Sequence, residues 1–414
     1  MSALRGTILL SLIALAVPSR ALALCTTSTC EPDGTQPSGA VFRMCMPEPG
    51  CWNGDLVIWA HGYVAFNEPV RIPEDQLVIG GVSLPRLINN LGFGFATTSY
   101  RTNGLAVKDG IEDVRELVDL FRAAHGSPDR VYLTGASEGG LITTLAVEQF
   151  PETFDGGLAA CGPIGDFRQQ LDYFGDFRVV FDYFFPGLIP GSPVTIPPDV
   201  IANWQTTYVP RITAALRARP HAVDQLLRVT GAPTDPLVPA TREATILGLL
   251  WYNVFATNDG VTKLGGQPFD NTQRFYSGSD NDFLLNLLVQ RFAAQPVALD
   301  EVGANYQTSG RLISPLVTIH TTGDPIIPFG HEALYWLKTL FSGSLFLHDE
   351  IPVLRYGHCA FQPSEALVAF ALLVLKVRGL ELVGAEHALP DPTSRQEFLD
   401  LARKNGLAPQ SPIP

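Results

Sequence analysis

Apolar positions along this chain form short β-branched runs that alternate with longer stretches of helical period, and one long segment breaks the rhythm. Ala40–Met46 and Asp55–Ala60 read as strands joined by a turn that holds Pro47, Pro49 and Gly50. A polar, proline-bearing loop, Asn67–Asp75, leads to a short helical stretch at Leu84–Leu91, and Gly94–Ser99 is the next strand. From Val107 to Ala124 the apolar residues Val107, Ile111, Val114, Val118 and Phe121 keep helical period, with Gly126 as the stop. Val131–Thr134 is a β-branched and aromatic strand. The helix after it runs from Glu138 to about Phe150, with Leu141, Ile142, Leu145 and Ala146 on its apolar face, and Gly157–Cys161 is a further buried strand.

From about Pro163 to Leu312 there are helical segments and proline-rich connectors, Pro186–Pro198 and Pro233–Pro239, but no sustained strand alternation. Aromatic residues crowd this stretch, among them Phe174, Phe181, Tyr183, Trp204, Trp251 and Tyr252. The earlier rhythm then resumes, with strands at Leu316–Ile319 and Leu345–Ile351 and helices at Glu332–Leu340 and Pro363–Val377. Strand and helix in alternation predict an α/β fold, a mostly parallel sheet with helices on both faces. Residues 24–162 and 313–414 are its core, and 163–312 is a large, mainly helical cap insertion. Leaving the core after the Gly157–Cys161 strand, the insertion rises from the carboxyl edge of the sheet, where open α/β sheets bind ligands.

Residues 1–23 stand apart from that fold. Arg5, an apolar run from Thr7 to Val17 and Pro18–Ala23 with its Ala-x-Ala ending make an export signal, so the mature chain is expected to be secreted or periplasmic. Leu24 is larger than the residue a lipobox wants before Cys25, and no stretch is long and apolar enough to span a membrane. The net charge is −13, and −15 once Arg5 and Arg20 leave, which argues against nucleic acid and anionic membrane surfaces as partners. Six cysteines in an exported chain imply disulfides. The spacing of Cys25, Cys30, Cys45 and Cys51 does not suit zinc, and their pairing is open. No cofactor or metal is expected.

The chemistry gathers at Gly135-Ala136-Ser137-Glu138-Gly139, where a buried strand runs into a helix. Gly-x-Ser-x-Gly at such a junction is a nucleophile elbow, which holds the serine hydroxyl above the sheet edge over a helix N-terminus that favours negative charge. Serine needs a base, and the base an acid. Among the eight histidines, His358 lies in the glycine-bearing loop Tyr356-Gly357-His358-Cys359 between the last strand and the last helix, where a base can overhang the elbow. His320, at the end of an earlier strand, is its rival; His348 reads as structural, and His125, His221, His331 and His387 as surface residues. The acid is Asp324, fixed by the Gly323-Asp324-Pro325 turn, with Asp349 and Glu350 as alternatives. Oxyanion donors are expected from the N–H of Glu138 and the N–H of Tyr63, which follows a strand ending in His61-Gly62; His61 braces that loop.

With these motifs the chain resembles the α/β-hydrolase superfamily, specifically secreted serine esterases with a large cap. The resemblance rests on His61-Gly62-Tyr63, Gly135-x-Ser137-x-Gly139, Gly323-Asp324 and Gly357-His358-Cys359 and covers residues 40–163 and 313–378. It implies the order Ser137, Asp324, His358 and hydrolysis of carboxylic esters through an acyl-enzyme, with a small-molecule or polymeric ester as the partner. The aromatic insertion suggests apolar or polyester-like substrates. A serine peptidase or amidase would use the same residues, and a binding protein that has lost catalysis would keep the fold. A partial likeness to tannases and feruloyl esterases stops at Ala136, because in those enzymes a cysteine precedes the serine and pairs with the one after the histidine. Here Cys161, at the sheet edge, is placed to pair with Cys359 and pin the loop of His358.

Overall fold

The structure is a computed structural model that describes residues 27–379. The expected export signal, Cys25, and the tail with its short helix near Glu397 lie outside the described residues. The core opens with strands β1 (Ser28–Cys30), β2 (Gly34–Thr35), β3 (Val41–Pro47) and β4 (Asp55–Ala60), then a hairpin of β5 (Val78–Ile79) and β6 (Val82–Ser83). It continues through helix α1 (Leu84–Asn90), β7 (Gly94–Thr98), α2 (Val107–His125), β8 (Arg130–Ala136), α3 (Glu138–Gln149) and β9 (Gly156–Ala160). After the insertion come β10 (Leu316–Gly323), α11 (Gly330–Ser342), β11 (His348–Tyr356) and α12 (Pro363–Val377).

The main sheet runs β1-β3-β7-β4-β8-β9-β10-β11, with β2 also on β3. From β7 to β11 all neighbours are parallel, while β3 is antiparallel to β1, β2 and β7. The period of two along each strand sorts side chains between two cores. Leu56, Ile58 and Leu133 face α2 and α3, and Val57, Trp59, Leu158 and Ile319 face α1 and α12. Parallel strands covered on both sides are apolar almost throughout; β4 is buried along its whole length, and its one charged residue, Asp55, is paired with Arg378 at 2.6 Å.

The insertion supplies α4 (Phe167–Phe184), α5 (Pro198–Ala202), α6 (Val209–Ala218), α7 (Pro220–Thr230), α8 (Ala240–Lys263), α9 (Asp282–Leu288) and α10 (Pro296–Asn305). Its aromatics pack chiefly on one another: Phe181, Trp204, Leu226, Leu249 and Leu250 centre a third core. Arg178 is fully buried inside it, held by Asp182, by Asn253 at 2.9 Å and by the Ile189 carbonyl at 3.0 Å, so the guanidinium ties α4 to α8.

Two local expectations change. Leu345–Leu347 is a single 3-10 turn rather than the start of a strand, and β11 instead runs on to Tyr356, two residues short of His358. The β5–β6 hairpin turns through Gly80-Gly81, a hairpin signal whose two-residue strands are too short to show alternation in the sequence.

Candidate active site

Strand β8 delivers Ser137 at φ 59°, ψ −122°, a conformation costly for a residue with a side chain and kept only where the surroundings enforce it. They do so here on both sides. The Ser137 N–H donates to the Ala160 carbonyl at 2.8 Å, and its carbonyl accepts from Gly140 N–H at 2.9 Å. A Cβ on Gly139 would run into the backbone of Ala60 and His61, and one on Gly135 into Gly139, so strand and helix meet this closely only with glycine at both positions.

His358 hangs over the elbow from the loop after β11, with Nε2 2.9 Å from Ser137 Oγ. Its Nδ1 lies 2.7 Å from Asp324 Oδ2, and the other Asp324 oxygen accepts the N–H groups of Ile326 and Ile327 at 2.8 and 3.0 Å. Burial alone would raise the Asp324 pKa. The charge of His358 and the hydrogen bonds from His320 and His358 outweigh it and hold the carboxyl well below the usual range. The Thr321 hydroxyl donates to the Gly357 carbonyl at 2.6 Å and Gly357 N–H to the Gly323 carbonyl at 3.2 Å, lashing the histidine loop to the aspartate turn. A Cys161–Cys359 disulfide anchors that loop from the other side, and Cys30 pairs with Cys45. Cys161, His358 and Cys359 crowd together, but with both sulfurs in a disulfide they offer no thiolate to a metal.

Serine after one central parallel strand, acid after β10 and histidine after β11 thus converge at the carboxyl edge of one sheet. The chain has the α/β-hydrolase fold. Residues 88–174, which include the elbow, match the prolyl oligopeptidase family, Peptidase_S9. No curated protein matches the chain in sequence. Among solved structures it is similar to an esterase of Pyrococcus furiosus, at 11% identity and TM-score 0.44 over 87% of this chain and 94% of that one. It is also similar to an acylaminoacyl peptidase of Pyrococcus horikoshii, at 10% identity and TM-score 0.41 over 94% of this chain and 43% of that one. A third similar structure is feruloyl esterase B of Aspergillus oryzae, at 14% identity and TM-score 0.41 over 80% and 73% of the two chains. This chain therefore spans less than half of the peptidase.

Within the hydrolase fold, Glu138 follows Ser137 in the chain and Tyr63 lines the cavity with Ser137, and neither backbone N–H has a hydrogen-bond partner among the described residues. The loop that presents Tyr63 is fixed at several points. Gly62 N–H donates to Gln76 Oε1 at 2.6 Å, and Tyr63 Oη donates to the Phe255 carbonyl of α8 at 3.0 Å. His61 is buried and stacks on Tyr100 at 3.9 Å between ring centroids, while the Tyr100 hydroxyl donates to the His61 carbonyl at 2.9 Å. The ring does not line the cavity at Ser137, and its Nδ1 lies 2.7 Å from the Gly62 carbonyl, within the loop.

His320 lies behind the acid rather than beside the serine. Its Nε2 donates to the Ile327 carbonyl at 2.9 Å and sits 3.4 Å from Asp324 Oδ2, and its Nδ1 is 3.0 Å from Glu332 Oε1. Both nitrogens thus face acceptors. Burial would lower its pKa, but hydrogen bonds to Asp324 and Glu332 prevail and push it up to about 10, so a buried cation backs the Asp324 carboxylate. Glu332 in turn accepts from Thr318 at 2.6 Å. His331 departs from its expected surface position. It is buried against the chain entering α4, where its Nδ1 accepts Gly165 and Asp166 N–H at 3.2 Å, and burial lowers its pKa to about 4. Asp349 pairs with Lys376 at 2.6 Å, and the carboxylate that His358 meets is that of Asp324. Tyr252 of α8, one of many aromatics in its run, lines the cavity together with Ser137.

The side chain of Glu138 turns into the core. Oε1 accepts Ala106 N–H at 2.9 Å, Oε2 is buried without a hydrogen-bond partner, and burial pushes the pKa from 4.5 up to about 8. The folded protein therefore keeps a proton that the unfolded chain has lost, and stability falls as pH rises from 4.5 to about 8. Glu138→Gln removes this loss. Its advantage over the parent is expected to be absent at pH 4 and to grow to on the order of 4 kcal/mol by pH 9, read from denaturant unfolding at the two pH values. Equal unfolding differences at both would show that Glu138 does not titrate this way.

Proposed function

We propose that this chain is a serine hydrolase that cleaves carboxylic esters through an acyl-enzyme. The supporting observation is the unbroken hydrogen-bond chain from Ser137 through His358 to Asp324 beside two unpartnered N–H groups. Ser137 Oγ attacks the ester carbonyl as His358 Nε2 takes its proton, and Asp324 holds Nδ1–H and stabilises the imidazolium. The carbonyl oxygen becomes an oxyanion held by Tyr63 and Glu138 N–H. Collapse expels the alcohol, which takes its proton from His358. Water, deprotonated by the same imidazole, then releases the acid and restores Ser137.

Esters are favoured over peptides by what surrounds the serine. Among the described residues no Asp, Glu, Lys or Arg lines the cavity at Ser137, so they offer a peptide terminus no charge to hold it. Of the insertion's arginines, Arg178 is sealed in its own core and Arg168 and Arg211 are exposed, none lining the cavity. The match of residues 88–174 to a family named for an oligopeptidase favours the second reading, a peptidase or amidase using the same residues. Parallel assay of p-nitrophenyl esters and peptide p-nitroanilides separates them. Esters are expected to show the higher kcat/KM, and faster anilide cleavage would reverse the assignment.

We also place this activity outside the cytoplasm, in line with the export signal expected at residues 1–23. The Cys30–Cys45 and Cys161–Cys359 disulfides suit an oxidising compartment.

A further inference from the structure

The cavity that opens at Ser137 does not lie under the insertion. Of the residues lining it, only Tyr252 comes from 163–312. The cavity instead descends, with a volume of about 360 Å³, between the sheet and the two helices on one of its faces. Its sheet wall is Trp59, Ala136, Leu158, Ala160 and Ile319, the side chains that the strand period directs toward α1 and α12. Leu84, Leu87 and Ile88 of α1 and Ala366, Leu367 and Phe370 of α12 form the opposite wall. The β5–β6 hairpin closes the rim, with Gly80 packed on Pro363 at the start of α12.

Polar groups gather at one end, apart from the Thr134 hydroxyl and the Trp59 indole N–H, which is buried without a hydrogen-bond partner among the described residues. Ser137, His358, Tyr63, Tyr252 and Gln76 belong to the site itself, and the Thr134 hydroxyl deeper down is committed to the Ile58 carbonyl at 3.1 Å. Trp59 pairs with Thr134, three residues before Ser137 on β8, so the wall reaches about 10 Å below the serine, the length of an extended octanoyl chain.

We propose that this slot is the acyl-binding site, and that it takes an unbranched, apolar acyl chain of medium length. This rests on the ester-hydrolase reading above. The acyl group is the part that stays on Ser137 while the alcohol departs and water enters, so a pocket running down from the serine serves the acyl chain rather than the leaving group. Selectivity for chain length then belongs to α1, α12 and the hairpin, and the aromatics of the insertion largely hold the insertion together.

The test combines turnover and binding. With p-nitrophenyl acetate, butyrate and octanoate, kcat/KM is expected to rise on the order of 10³-fold from acetyl to octanoyl, since each added methylene that the slot buries contributes roughly fourfold. Ala366→Phe, which fills the slot, should lower the octanoyl-to-acetyl ratio at least tenfold, and Leu87→Trp provides an independent variant that obstructs the other wall. Methyl octanoate should be cleaved faster than octyl acetate. Octanoate binding, followed by calorimetry, should be lost in the filled variant. A flat chain-length profile, an unchanged ratio in a folded variant, or a preference for octyl acetate overturns the acyl slot while leaving the hydrolase intact. Octanoate binding that Ala366→Phe abolishes, in a protein that cleaves no ester, would keep the slot and overturn the ester reading.

Discussion

Replacing Ser137 with alanine is expected to lower kcat on the best ester about 10⁶-fold, the order seen when the nucleophile of such a constellation is removed. The rate that remains should still exceed hydrolysis in water by roughly 10³–10⁴, because oxyanion donors and the binding slot are untouched. The fold should survive. The hydroxyl hydrogen-bonds to His358, while the elbow is held by main-chain bonds to Ala160 and Gly140 that alanine also makes. Unchanged denaturant unfolding together with lost turnover is therefore the expected pair of results. Retained activity in this variant would remove Ser137 from the chemistry.

Asp324→Asn should lower kcat by about 10⁴ with little change in KM, since the substrate touches neither carboxyl oxygen. The asparagine oxygen can still accept from Ile326 and Ile327 N–H and keep the turn. Its amide group then faces His358 Nδ1 as a donor, which selects the tautomer with the proton on Nε2, where Ser137 needs an acceptor. It also leaves two imidazoles, His320 and His358, without the carboxylate between them. Steady-state kinetics against the parent measure the effect. A mild loss here beside a large one at Asp349 or Glu350 would move the acid.

The parts of this site that could be read in the sequence are those that backbone geometry writes as residue type. Gly135 and Gly139 mark a junction that admits no Cβ, and Gly323-Asp324-Pro325 and Gly357-His358 mark turns at strand ends. What escaped depends on which way side chains point and on contacts made far along the chain. His320 lies within β10 and His358 in the loop after β11, and the period of β10 puts His320 on the side of Thr318, facing Glu332, and hides it behind Asp324. His331 looked exposed at the start of a helix and is buried because the chain entering α4 crosses over it. The insertion had no period to reveal its packing. Its aromatics suggested substrate contacts, yet most satisfy one another in a separate core and only Tyr252 reaches the cavity. The slot itself was invisible, because the residues lining it, such as Leu87, Ile319 and Phe370, are ordinary core residues in any linear reading.

A fluorophosphonate probe tests the central claim most directly, since it phosphonylates a serine only where a base and oxyanion donors activate it. Incubation of the folded protein followed by peptide mass spectrometry is expected to find one adduct, on Ser137, and none in the Ser137→Ala variant. An adduct on another residue, or an unmodified Ser137 in protein that is hydrolysing ester, would contradict the account.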